Sequence, residues 1–237
     1  MSKLYSLTNT FVKQIEEKII SGEWSIGQRL PTARELSELY GVSRSVINAG
    51  MVELKQKGFI KIVPRKWTEV IDYHKEGTIK VLESIMEYDH EKIDDNLFQS
   101  VLQARMLVEK ECAFKAADNH TKEDIERLQG ILDNEKEYIK NQQGLLEKIV
   151  INDFAFHHAI AVASDNAVYP LILKSFEPMS LFFTRQFYRY DNVLNTVSDY
   201  HKKIFDAINN RESSKASELM AELLAHGETI MKSIKKV

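Results

Sequence analysis

Between residues 8 and 21 the apolar side chains Phe11, Ile15, Ile19 and Ile20 recur at helical spacing, and Gly22 stops the run, which predicts a first helix. Pro31-Thr32 opens a short second helix with Thr32 as its cap, Leu36 and Leu39 facing inward and Gly41 at its end. Ser43 caps a third helix, in which Val46, Ile47, Met51, Val52 and Leu54 are apolar and Gly58 is a left-handed stop. Residues 59–63 and 67–71 are rich in β-formers and are separated by Pro64-Arg65-Lys66, a hairpin pattern. Two short helices joined through Gly41 and followed by a hairpin form a winged helix-turn-helix over residues 1–73.

Beyond a linker at residues 74–77 the period changes to helical almost without interruption. The pattern predicts helices near 78–89, 93–118, 122–142, 145–163, 167–190, 193–209 and 213–235, an all-α helical bundle over residues 78–237. Thr121-x-x-Asp124 is a capping signal, Asn209-Asn210 a stop, and Pro178 is expected to kink the helix that contains it. The expected fold class is therefore mainly α: an N-terminal winged helix-turn-helix domain and a helical bundle.

Charge sharpens this division. The net charge of −3 hides a basic first part, since residues 1–75 hold 12 Lys and Arg against 8 Asp and Glu, or +4, and the remainder carries −7. A basic module joined to an acidic one suits polyanion binding at the N-terminus. No apolar run approaches the roughly 20 residues needed to cross a bilayer, and the opening MSKLYSLTNTF lacks a secretory pattern, so a cytoplasmic location and no membrane contact are expected. The single cysteine, Cys112, excludes an intrachain disulfide and a thiolate zinc cluster, and its periodic surroundings suggest a buried structural thiol.

In a helix-turn-helix the first turn of the second helix enters the major groove. Here that turn carries Ser43, Arg44 and Ser45, with Asn48 one turn on. Arg can pair with guanine O6 and N7 and Asn with adenine, which makes Arg44 the leading base reader. Arg34 would meet phosphate or a flanking base, Ser43 and Ser45 suit phosphate oxygens, and Arg65 and Lys66 at the hairpin tip could follow the backbone or enter the minor groove. Taken singly, each is an ordinary solvated residue. Together, the run PTARELSELYGVSRSVINAGMVELKQKGFI closely resembles the DNA-binding segment of GntR-family bacterial repressors, with its P-[ST]-x-R-x-L-[AS]-x-x-x-G-V-S-R-x-x-[VI] pattern. The helical remainder resembles the FCD-type ligand-binding domain of the FadR subfamily. The family usually has Arg where this chain has Asn48, and Gly at the wing tip where it has Pro64-Arg65, so operator sequence and wing contacts do not transfer. The resemblance implies a transcriptional regulator, expected to be a repressor, binding a pseudo-palindromic double-stranded operator as a homodimer.

Asp153 and His157 stand four apart, on one face of a predicted helix, a spacing that suits two ligands of one metal. His201 and His226 lie in the last two helices among apolar neighbours. Each histidine alone reads as a hydrogen-bonded core residue, and no spacing rule links all four. The resemblance does link them, because many FadR-subfamily domains carry Asp-x3-His and two later histidines. It implies a divalent metal ion, zinc foremost with nickel, manganese or iron as alternatives, held by Asp153, His157, His201 and His226. His158, about 100° round the helix from His157, should not share that site.

In the stretch ARMLVE, also similar to the subfamily, Arg105 could clamp a small carboxylate effector or pair internally with Glu109, one turn away. The subfamily's namesake senses a long-chain acyl-CoA without metal. That alternative finds support in the 77–105 stretch and in the aromatic run Leu181-Phe182-Phe183-x-x-x-Phe187-Tyr188, which could line an acyl tunnel or simply form core. A metal-dependent hydrolase is the rival class, but HExxH, GxSxG and a Gly-rich phosphate loop are missing, so the chain reads as a regulator rather than an enzyme.

Overall fold

The computed structural model describes residues 3–88, 95–141, 146–189 and 193–234 and divides into two compact units, Met1–Ile93 and Asp94–Val237. In the first, α1 (Lys3–Ile20), α2 (Ala33–Tyr40) and α3 (Arg44–Lys57) enclose a core whose centre is Phe11, Ile15, Leu36, Ile47, Leu54 and Phe59. Thr32 and Glu35 form a reciprocal capping box that starts α2, and Gly41 in left-handed geometry turns the chain into Ser43, the N-cap of α3. Leu36 is fully buried as its spacing predicts. Leu39 is 67% exposed, contrary to expectation: a two-turn helix offers one narrow inward stripe, and Leu39 falls outside it. Strands β1 (Ile60–Val63) and β2 (Trp67–Val70) pair antiparallel with Ile60 opposite Val70 and Val63 opposite Trp67, and Arg29 forms a bridge to Glu69 on the outer edge of β2. Arg65 at the tip adopts a left-handed conformation with φ of 61°.

Two expectations about the segment after the hairpin change. Residues 74–77 are not an open linker: Tyr73–Glu76 forms the short helix α4. At Gly58, with φ of 91°, a β-carbon would stand 2.7 Å from the Gly77 Cα, so only glycine lets these strands of backbone meet. Thr78 then donates from both its amide and its hydroxyl to the Lys57 carbonyl. The following helix α5 (Lys80–Tyr88), which the pattern assigns to the second domain, packs in the first unit: Val81 joins its core, and Ser84 meets Lys57, which is ion-paired with buried Glu16 at 2.7 Å.

The second unit is all-helical: α6 (Asp95–Asn119), α7 (Lys122–Asn141), α8 (Leu146–Ala163), α9 (Tyr169–Ser175), α10 (Glu177–Phe187), α11 (Val193–Asn209) and α12 (Ser213–Ile234). Helix α8 is its axis. Ten of its 18 residues are buried, because it is flanked by α6, α7, α9 and α10 and is apolar on most of its surface. Asn152 on α8 finds its partner in the Ile131 carbonyl of α7 at 3.1 Å. Thr121 and Asp124 cap α7 reciprocally, and α11 ends at Asn209, both as expected. The single kinked helix expected over 167–190 is two helices, broken at Phe176. Pro178 has no amide hydrogen to continue α9, and it occupies the first turn of α10, where none is needed. Cys112 is buried as anticipated, and burial pushes its thiol up to about 12.

Candidate DNA-reading face and metal centre

On α3 the buried residues Val46, Ile47, Gly50, Met51 and Leu54 define the inner stripe, which leaves Arg44, Ser45 and Asn48 on the opposite, exposed face. Gly50 sits where α3 meets α1, with Phe11 filling the space a side chain would take. Ser43 Oγ accepts from the Val46 amide at 3.4 Å and lies 2.7 Å from Ser45 Oγ, so one hydroxyl caps the helix while the pair remains at its exposed N-terminus. Arg34 is exposed and paired with Glu38 at 3.1 Å across one turn of α2, an interaction open to exchange for a phosphate. At the hairpin, exposed Arg65 and Lys66 flank Trp67, whose indole lies 5.6 Å from the Lys66 ammonium and 4.5 Å from the Arg29 guanidinium.

In the second unit, α8 and α11 bring Asp153, His157 and His201 together, each offering a ligand atom within 4.8 Å of the others'. Their surroundings set the orientation of the rings. Glu135 on α7 lies 2.8 Å from His201 Nδ1, leaving Nε2 directed toward Asp153 Oδ1 at 3.8 Å. His201 is 1% exposed, and its Nε2 has no hydrogen-bond partner among the described residues. A buried imidazole nitrogen without a partner, beside a carboxylate and a second imidazole, is the donor set that a divalent ion such as zinc requires. The residues present therefore fit a metal. His157 Nδ1 approaches Glu109 Oε2 at 2.5 Å but off the hydrogen-bonding direction, and Tyr188 Oη donates to Asp153 Oδ1 at 2.7 Å.

Sequence reasoning also placed His226 in this set, but its ring lies outside the group. The cavity-facing positions of α12 are Leu223, Leu224, Gly227, Glu228 and Met231, and His226 is about 100° round the helix from Gly227. It is half-buried, with its ring 6.3 Å from that of Tyr200. His158 stays apart as expected, stacked on Phe154.

Arg105 makes the internal pair with Glu109 and also lines the cavity. Its Nε donates to Glu109 Oε1 at 2.6 Å, while its terminal nitrogens make no hydrogen bond among the described residues and the side chain lines the cavity beside Asp153 and His157. Burial alone would raise the Glu109 carboxyl, but the Arg105 guanidinium and the His157 ring override it and hold the group at about 2. Burial and the facing Asp153 carboxylate push the Tyr188 hydroxyl well above its ordinary value. The cavity has a volume of about 60 Å³, is partly open to solvent, and is bounded on its other sides by residues of α6, α10, α11 and α12.

Glu135 was not singled out from the sequence, and Tyr188 was named only in the aromatic run, not as a partner of Asp153. Glu135 had a readable signal, since it continues the inward stripe of Leu128 and Leu132 by one turn, and a carboxylate on a buried stripe needs a partner. Nothing in the sequence distinguishes Tyr188 from its aromatic neighbours.

Comparison with known proteins agrees with this architecture. The family described as bacterial regulatory proteins, gntR family, matches residues 7–70, and the FCD domain family matches residues 100–226. The chain is 34% identical over 169 residues to the Uxu operon regulator of Haemophilus influenzae, covering 71% of this chain and 59% of that protein. It is 30% identical over 220 residues to the HTH-type transcriptional regulator YcbG of Bacillus subtilis, covering 91% and 87%. With the fatty acid metabolism regulator protein of Shewanella frigidimarina it shares 27% identity, covering 88% and 83%. Among solved structures, one of Lar, described as controlling expression of the Listeria monocytogenes agr system, superimposes with a TM-score of 0.65 at 15% identity, covering 94% of this chain and 95% of that one. E. coli McbR/YncC gives 0.52 at 17%, covering 97% and 98%.

Proposed function

This chain belongs to the gntR family of bacterial regulatory proteins with an FCD domain and is a DNA-binding transcriptional regulator rather than an enzyme; from that premise we propose that a small carboxylate bound in the helical unit controls its hold on the operator. The observation that carries the reading is the convergence of Asp153, His157 and His201 at the edge of a cavity lined by Asp153, His157 and Arg105. Asp153, His157 and His201 would hold a divalent metal ion, which when bound would offer positive charge to one carboxylate oxygen. Arg105, fixed through Nε by Glu109, offers its terminal nitrogens to the other.

On the DNA side, Arg44 is the base reader and Asn48 its neighbour on the exposed face. Arg34, Ser43 and Ser45 contact phosphate, and Arg65 and Lys66 extend the footprint from the wing. A homodimer on a pseudo-palindrome follows from how few base pairs one recognition helix reads, and the protein acts in the cytoplasm as a repressor released by its effector. Among the described residues, no helix is long and apolar enough to cross a membrane.

Acyl-CoA sensing has support in the apolar walls of the cavity and in the fatty acid metabolism regulator among the relatives. The volume of about 60 Å³ favours the smaller ligand. The deciding experiment titrates organic acids and long-chain acyl-CoA against operator-bound protein, with and without prior metal removal. Release by a small acid, abolished by chelation and by Arg105→Ala, supports the metal-carboxylate reading. Release only by acyl-CoA, indifferent to chelation, overturns it.

A further inference from the structure

The cavity is chemically one-sided. Of its lining residues, Arg105 of α6 and Asp153 and His157 of α8 form the polar end, and His201 of α11 stands next to Asp153 there. The walls from α10, α11 and α12 present Phe183, Phe187, Val197, Leu223, Leu224 and Met231, joined from α6 by Phe98 and Leu102. Among the described residues the polar side chains on those walls are Thr184 and Glu228, and Glu228 is already paired with Lys232. A carboxylate entering with its charge toward Arg105 must therefore place the rest of its body against hydrocarbon. Each hydroxyl buried against those walls beyond one within reach of Thr184 gives up water for no partner, whereas each methyl or methylene there gains from burial.

We infer that the effector is a compact monocarboxylate with an apolar body, a short-chain or branched aliphatic acid, and not a polyhydroxylated acid of similar size. Size points the same way: an enclosed cavity of about 150 Å³ accommodates a benzene ring, so 60 Å³ holds a body of a few carbons with slight adjustment of the walls. The inference rests on the effector role proposed above for this cavity.

The test uses the full-length, metal-loaded protein and measures binding by calorimetry and operator release by fluorescence anisotropy. The probes are butyrate, isovalerate, a polyhydroxylated six-carbon monocarboxylate and a long-chain acyl-CoA. The aliphatic acids are expected to bind at least about tenfold more tightly than the polyhydroxylated acid, given the penalty for unpaired buried hydroxyls. In Phe187→Leu the preferred aliphatic acid is expected to become longer by one or two carbons, with unchanged recognition of the carboxylate. Phe183→Leu gives a second reading of the same wall if the first variant melts early. Equal or tighter binding of the polyhydroxylated acid, or of acyl-CoA, overturns the inference while leaving the cavity as the effector site. Failure of all the acids to bind, together with release by an unrelated ligand, overturns the effector reading itself.

Discussion

Glu135 on α7 holds His201 on α11 by Nδ1 at 2.8 Å, and this single contact decides which nitrogen of the ring is left for a metal. It joins two helices whose sequences give no hint of each other. Glu135→Gln keeps the shape but removes the charge behind the imidazole, and loss of such an outer partner typically lowers metal affinity about 10- to 100-fold. Competition against a chromophoric chelator measures the drop, with Glu135→Asp as the conservative rescue. Unchanged affinity would remove Glu135 from the site.

Within the donor set, His157→Ala and His201→Ala should each abolish near-stoichiometric zinc binding, and His158→Ala should leave it intact, because His158 stacks on Phe154 instead. His226→Ala is expected to weaken binding less than His201→Ala, since the His226 ring starts outside the group. Metal content by mass spectrometry after dialysis checks the order.

For the operator, Arg44→Ala should cost about 1–3 kcal/mol and relax selectivity at one base position. Arg34→Ala and Lys66→Ala should instead weaken binding evenly across sequences and reduce the salt slope by about 1 each. Anisotropy titrations on wild-type and single-base-variant operators at several salt concentrations separate the two behaviours.

Gly50→Ala should destabilise the first unit although alanine is the better helix former. A β-carbon there would stand 2.4 Å from Phe11 Cδ1, and Phe11 is packed on all sides, with Tyr40 edge-on at 5.2 Å. Overpacking of this kind costs about 1–3 kcal/mol, against roughly 1 kcal/mol gained in helix propensity. Thermal denaturation reads the balance; a raised melting temperature would show that Phe11 gives way.

Glu109 links stability to acidity. Its folded value of about 2 lies below the ordinary 4.5, so its contribution is complete above pH 4.5 and is lost as pH falls from there toward 2. Glu109→Gln lacks that contribution at every pH. The stability gap between wild type and variant, from denaturant unfolding across pH 2–7, should narrow with acidification rather than widen.

The winged helix was legible in the chain because its information is local: Thr32 and Glu35 cap, Gly41 and Gly58 turn, and Phe11, Ile15 and Leu36 keep a helical period, all within a few residues of what they control. The Asp153 and His157 pair was legible for the same reason, four residues apart on one helix. Assembly of the site was not. Whether His201 joins that pair and His226 does not depends on how α11 and α12 are rotated against α8, and rotation is set by side-chain packing over the whole unit rather than by any local period. The same holds for α5, which the change of period assigned to the second domain and whose place in the first unit was decided by Val81 and Lys57. Local periodicity specifies which face of a helix is apolar, and only the packed tertiary structure determines what that face meets.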